Sequence, residues 1–313
     1  MEEKDIGMIC ETHRLPCNKV TKAIGNNDIF FIDERYLIRT SRQSMHDEQT
    51  KFDRIRDLKY VPRILHASDQ SSSNNFYYLI VEYIKGDELF SIYHDLSEQH
   101  RYDIGTRIAD FLIDLHTIKG EKYDIGHYVP IIPGYDKSWR SGHEKYWDYI
   151  YKGLTDIQLP SEGKELLELS SKYITANLSC LDIENGPVLL HNDFHYKNII
   201  IQSHTLSGVI DWECSQYGEP DFDLIHLLHW CLFPPEKALD MSKLCNAVLQ
   251  KYLEQCRVPN IEQRLTIYLL EHDFIQILWS KGKRAEEFLP RIKCWVNGEV
   301  ESYMQNLRTS HSC

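Results

Sequence analysis

The chain has 313 residues, of which 42% are apolar and 26% charged, and 47 acidic side chains against 35 basic ones give a net charge of −12. Such a length can bury a sizeable core and is long for one compact domain, so two lobes are expected. The acidic balance argues against nucleic acid or an anionic membrane as the main partner, because phosphate-rich surfaces attract clustered Lys and Arg, but it suits a cationic ligand.

Nine cysteines are scattered without a Cys-x-x-Cys pair. An odd, unpatterned set points to a reducing compartment. Residues 1–15 are charged and hold no apolar segment of the kind a secretory signal needs. No run approaches the roughly 18 apolar residues of a spanning helix. The expected location is therefore cytoplasmic.

Residues 24–28 form a turn-prone stretch, with Gly25 and Asn26, that could fold over a phosphate chain. Apolar and β-branched runs at 29–32 and 36–40, separated by Asp33-Glu34-Arg35, read as a hairpin. Ser44 followed by Asp47 reads as a capping box opening a helix on which Glu48, Phe52, Ile55 and Lys59 share a face. A turn at 71–75 precedes a strand over 76–83, which runs into Ile84-Lys85-Gly86-Asp87.

From Ser97 the pattern is helical. Ile104, Ile108, Phe111, Leu112 and Leu115 recur at three and four residues, with Gly120 as the expected stop. Residues 128–135 hold two prolines and a glycine and read as a loop. The next stretch, 137–154, is aromatic-rich, as core or groove linings are. Helices are expected over 161–181, 235–256 with Pro235 in the first turn, 261–281 and 288–307. Strands first and helices afterwards indicate an α+β architecture of two lobes, an N-terminal strand-rich one at 1–84 and a helical one at 85–313.

The chemistry concentrates in residues 188–211. His191, Asp193 and Asn198 stand as H-x-D-x-x-x-x-N between two apolar strands, and Asp211 follows after a turn and a further strand. Phosphoryl transfer needs a carboxylate to orient the attacking hydroxyl, oxygen ligands for a magnesium ion and a cation on the donor. Asp193 fits the first role, and Asn198 and Asp211 offer hard oxygen ligands that suit Mg²⁺ better than zinc. A rival reading takes His191, Asp193 and His195 as a metal-hydrolase cluster. It finds few supporting ligands nearby, only Asp221, Asp223 and His226.

These segments resemble the aminoglycoside phosphotransferase and choline kinase superfamily, small-molecule kinases with a two-lobed protein-kinase-like fold. The likeness rests on His191-Asn192-Asp193-Phe194-His195-Tyr196-Lys197-Asn198 and on Val209-Ile210-Asp211-Trp212-Glu213, followed by 218–224, and extends more weakly over nearly the whole chain. It implies that Arg39 stands in for the donor-contacting lysine, with Glu48 as its partner acid. Arginine keeps the charge and can fork two phosphate oxygens. It also implies that backbone groups of Glu82 and Ile84 hold the adenine. Asn192 stands where many relatives have glycine. The glycine-poor covering loop leaves ATP and GTP both open as donors.

The resulting expectation is a Mg²⁺- and nucleotide-dependent kinase acting on a hydroxyl of a cationic small molecule, first an aminoglycoside or similar basic antibiotic. Asp221, Asp223, Glu271 and Asp273 are the candidate acidic wall for its amines. The alternative acceptor is choline, ethanolamine or another metabolite, held by an aromatic cage from Trp139, Trp147, Trp212 or Trp230. A nucleotide-binding regulator without catalysis is the reading from another class, and intact Asp193, Asn198 and Asp211 speak against it.

Overall fold

The structure, a computed structural model, describes residues 3–23, 28–42, 44–68, 76–124, 138–182, 184–236 and 239–309. The chain forms two compact units, Met1–His100 with Tyr196–Glu213, and Arg101–His195 with Cys214–Cys313. Each is taken by itself.

The first unit opens with α1 (Glu3–Thr12), β1 (Val20–Lys22), β2 (Asp28–Ile32), β3 (Tyr36–Ser41), α2 (His46–Ile55), β4 (Ile64–Ala67) and β5 (Tyr77–Glu82). The five strands make an antiparallel sheet in the order β1-β2-β3-β5-β4. The expected hairpin is its centre, with Ile32 opposite Tyr36. Asp33 and Glu34 both take φ of 51°, and the Arg35 N–H bonds the Ile32 carbonyl at 2.9 Å. Two left-handed residues in a row match the twist of the flanking strands. Alternation sends Phe30, Ile32, Ile38 and Ile80 to a core shared with Ile6, Ile9 and Cys10 of α1. Leu79 and Val81 pack on the opposite face with Met45. The Ser44 cap lies one residue early: α2 starts at His46 behind Met45, and Ser44 Oγ accepts the His46 N–H at 3.3 Å.

Beyond β5 come β6 (Asp87–Glu88), α3 (Leu89–Ile92), α4 (Glu98–Leu115), α5 (Trp139–Thr155), α6 (Ser161–Asn177), β7 (Val188–Leu190), β8 (Ile199–Gln202), β9 (Thr205–Val209) and β10 (Gln216–Gly218). Strands β6, β8 and β9 form a second sheet of the first unit. Gly86 is required just before it: φ is 135°, and a Cβ there would lie 2.4 Å from the Ile201 carbonyl oxygen.

The second unit is built on α4, α5, α6, α7 (Ile225–Leu232), α8 (Ser242–Gln255), α9 (Ile261–Trp279), α10 (Ala285–Val296) and α11 (Glu299–Thr309), with the β7–β10 ribbon among them. Helix α9 is buried around most of its circumference and is the unit's central column. Three boundaries differ from the sequence reading. Helix α4 ends at Leu115, and Gly120 serves close packing, since a Cβ there would meet the Tyr217 ring at 2.4 Å. Helix α8 begins at Ser242, well past Pro235, where Asp240 Oδ1 accepts the Ser242 N–H at 2.9 Å. The last stretch is two helices, parted at Asn297 and Gly298, whose φ is 83°. Among the described residues no helix is long and apolar enough to cross a membrane.

Candidate active site

The motif residues fall in both units: Asp193 belongs to the second, and Asn198, Asp211 and Arg39 to the first. In the second unit the loop after β7 is held from beneath by Asp223. Its carboxylate accepts the His191 N–H at 2.9 Å and the Asn192 N–H at 2.7 Å, and His116 Nε2 lies 3.2 Å away. Asn192 sits at φ 64°, a left-handed position that glycine and asparagine adopt at least cost. Its Nδ2 donates to the Cys214 carbonyl at 3.1 Å. Phe194 is fully buried and stacks on Phe111, while His195 stacks on Trp230 at 5.3 Å. Between these anchors Asp193 keeps a side chain 28% exposed. His191 Nδ1 accepts the Asp193 N–H at 3.3 Å, so this imidazole braces the loop.

Replacing Asp223 by alanine strips two buried N–H groups of their acceptor. An unsatisfied buried donor costs about 1–3 kcal/mol, so a stability loss of that order per group is expected in thermal unfolding, together with a fall in kcat.

Asp193 lies at the edge of a cavity of about 270 Å³ in this unit. Phe222, Tyr146, Tyr268 and Trp279 give it aromatic walls, and Glu271, His143 and Gln216 supply polar groups. His143 Nδ1 and Glu271 Oε2 are 2.6 Å apart. Glu271 Oε1, His143 Nε2 and Gln216 Oε1 are buried with no hydrogen-bond partner among the described residues. Three unpaired polar atoms in one aromatic cavity mark it as a place for a polar ligand. Burial pushes the Glu271 carboxyl above its ordinary value, against the opposing pull of His143.

Only one of the four expected wall acids lines this cavity, Glu271. The other three need correcting, because each is fully buried and engaged in the protein's own bonding. Asp221 takes the Arg264 guanidinium through two bonds of 2.7 and 2.8 Å. Asp223 is the loop brace. Asp273 accepts the Trp295 Nε1–H at 2.7 Å and lies beside His229 and His272. Nor do the expected cage tryptophans gather here. Trp139 is buried and donates to the Tyr268 hydroxyl at 2.7 Å, and Trp212 donates to the Val209 carbonyl at 3.0 Å. The aromatic walls come instead from Tyr146, in the stretch that reads as core or groove lining, and from Phe222, Tyr268 and Trp279.

In the first unit, Arg39 stands on β3 opposite Ile29 and Leu79 and forms an ion pair with Glu213. Lys51 of α2, a second cation that the sequence reading missed, donates to the Glu213 carbonyl at 2.7 Å. Lys51 was legible only as the residue one turn after Glu48. The side chain of Glu48 lies outside the described residues, as do Gly25 and Asn26. Glu82 ends β5, where its N–H donates to the Arg63 carbonyl at 2.9 Å, and Ile84 packs over Gly208. Asn198 and Asp211 flank the β8–β9 hairpin at its open end, because Ile199 pairs with Val209 and the Ile210 N–H bonds the Asn198 carbonyl at 2.9 Å. Asp211 sits at φ 67°, a strained position for a non-glycine residue of the kind that clusters at functional sites.

The model of the phosphotransferase enzyme family matches residues 23–243, more than half of the chain. The chain belongs to that family. Two solved structures share the fold of this phosphotransferase over nearly its whole length. The gentamicin complex of APH(2'')-IIa is 21% identical with a TM-score of 0.64, covering 96% of this chain and 98% of that one. ADP-bound APH(2'')-Ib is 21% identical with a TM-score of 0.65, covering 97% and 99%. Both are aminoglycoside phosphotransferases, so the expected fold class, kinase-like and α+β with a strand-rich first part, is borne out. Human acyl-CoA dehydrogenase family member 11 is 26% identical over 216 residues, 66% of this chain and 25% of its own length, and the Rattus norvegicus protein of that name is 26% identical over 213. The chain thus spans about a quarter of the curated relatives it matches. Family and fold together place the chain in the phosphotransferase enzyme family with a kinase-like fold.

Proposed function

We propose that this phosphotransferase moves a phosphoryl group from ATP or GTP to a hydroxyl of a cationic small molecule. The observation that carries the acceptor class is the aromatic cavity beside Asp193, with the unpartnered Glu271 oxygen inside it. A carboxylate among ring faces is the usual recognition chemistry for an ammonium group. In this reading Asp193 accepts or orients the hydroxyl proton, and Arg39 and Lys51 supply positive charge toward the donor. Asn198 and Asp211 would hold Mg²⁺. They fit it as an amide and a carboxylate oxygen at one end of a hairpin, hard donors of the kind this ion takes. Bound there, the ion would neutralise charge on the phosphates.

An aminoglycoside or similar basic antibiotic keeps the support of the solved relatives, which include streptomycin–ATP and hygromycin B complexes. A small amino alcohol is the second reading, and the cavity favours it. At about 270 Å³ this cavity lies just under the ~300 Å³ at which pockets for drug-sized ligands begin, while a second cavity of about 660 Å³ that also reaches Asp193 leaves room for a larger acceptor. The smaller cavity also offers one buried carboxylate in place of an acidic wall. Steady-state transfer from ATP and from GTP to a panel of aminoglycosides, choline, ethanolamine and related amino alcohols tests this. Turnover confined to uncharged or anionic alcohols would refute the cationic acceptor.

Glu271→Gln is expected to raise KM for the cationic acceptor about 10- to 150-fold, the equivalent of a charged hydrogen bond worth about 1.5–3 kcal/mol. The pH profile supplies the sign. A carboxyl raised by burial is ionised only above its raised value, so KM should climb as pH falls through a point above the ordinary carboxylate value. In Glu271→Gln that limb of the profile should be absent.

A further inference from the structure

We infer that His229, His272 and Asp273 form a transition-metal site in the helical unit, separate from the magnesium oxygens of the first unit. His229 lies on α7, and His272 and Asp273 are consecutive on α9. Asp273 Oδ1 is 3.2 Å from His229 Nε2 and 3.0 Å from His272 Nδ1, and the three atoms lie within 4.8 Å of one another. Ligand bonds of about 2.0–2.1 Å at tetrahedral angles put neighbouring ligand atoms about 3.3 Å apart, so these two edges are close to those of a zinc site.

The surroundings supply what such a site needs. Trp295 Nε1–H holds Asp273 Oδ2 at 2.7 Å, which turns Oδ1 toward the two imidazoles, an outer contact of the sort that orients a metal carboxylate. His229 and His272 both line a cavity of about 660 Å³ that also reaches Asp193, leaving a fourth position open on that side. His226, one turn before His229, has its ring 5.2 Å from that of His272 and stands as a candidate further ligand.

The hydrogen bonding points the same way. Arg291 Nη1, which can only donate, lies 3.2 Å from His229 Nε2. That nitrogen cannot both accept from Arg291 and donate to Asp273, so one of its two contacts is mismatched in either neutral tautomer. A divalent cation among Nε2, Nδ1 and Oδ1 satisfies three lone pairs at once. Arg291 keeps its bond to Glu287 at 3.2 Å and its packing on Phe233 and Phe288. Two imidazoles and one carboxylate suit zinc, cobalt or nickel better than Mg²⁺.

The test uses the whole chain without an affinity tag, stripped with chelator and dialysed against zinc or cobalt. About one equivalent of metal should resist gel filtration, and the cobalt form should show the strong visible absorption of a four-coordinate ion. His272→Gln, at a partly exposed position, should weaken zinc binding at least about 100-fold, beyond the ~10- to 100-fold loss typical of outer contacts. Asp273→Asn should also lose the cobalt band, with circular dichroism confirming that both variants fold. Asp211→Asn should leave it intact. Retention below about a tenth of an equivalent, or a cobalt band that survives His272→Gln or disappears with Asp211→Asn, would overturn the site.

Discussion

Asp193→Ala is expected to lower kcat for acceptor phosphorylation by about 10² to 10⁴, the range a positioned general base contributes. The loop that carries Asp193 should survive the change. Its backbone is held by the Asp223 carboxylate at His191 and Asn192, and its buried anchor is Phe194 stacked on Phe111. Asp193 itself is partly exposed. Its loss should therefore appear in turnover and hardly in thermal unfolding. Asp193→Asn is the sharper variant, because it keeps the shape and removes the basic oxygen. With the true acceptor in hand, an undiminished kcat in either variant would remove Asp193 from the chemistry. It would favour instead the nucleotide-binding regulator that the intact motif argues against.

What could be read from the chain beforehand was whatever depends on neighbours in sequence. The 36–40 and 199–201 runs are short, apolar and β-branched, and turn residues bound them, so hairpins followed from local chemistry alone. The same holds for the spacing of Asp193, Asn198 and Asp211. Helix α1 was hidden because its apolar stripe is only Ile6, Ile9 and Cys10 on an otherwise charged segment. The errors concern long-range partners. Asp221 and Asp223 read as acids of an accessible substrate wall because carboxylates are seldom fully buried unless paired. Arg264, which neutralises Asp221, lies 43 positions further along, and the backbone groups that Asp223 accepts lie 31 and 32 positions back. Arg39 and Glu213 are 174 residues apart, so no local pattern joins them. Glu271 was legible only as an acid on a helix. Its place in an aromatic cavity depends on how α5 and α9 pack, and α9, apolar on nearly every face, has no periodicity to show which side is lined.

Arg264→Met should be the most destabilising single change considered, at about 3–5 kcal/mol, the usual cost of removing one partner of a buried ion pair. Arg264 has no exposed side-chain surface, and neither do Asp221 and Glu219, with which it pairs. Its Nη1 also reaches the Cys180 carbonyl at 3.1 Å, joining α9 to the segment after α6. The two carboxylates would not suffer equally. Glu219 retains the Tyr123 hydroxyl at 2.6 Å and the Asn185 and Gly186 N–H groups at 2.9 and 2.7 Å. Asp221 loses a two-bond partner. Burial already raises the Glu219 carboxyl in the intact protein. In the variant that carboxyl also loses a neighbouring positive charge, which pushes it in the same direction. The deficit should therefore be largest near neutral pH and shrink as pH falls toward the ordinary carboxylate range, where protonation discharges Glu219. Denaturant unfolding of both proteins from neutral pH down to about pH 5 measures this. A deficit that stays constant or widens on acidification would mean that lost packing, and not an uncompensated charge, is what Arg264→Met removes. Asp221→Asn should cost less than Arg264→Met, because Arg264 then keeps Glu219 and the Cys180 carbonyl while the substituted amide still offers it one oxygen.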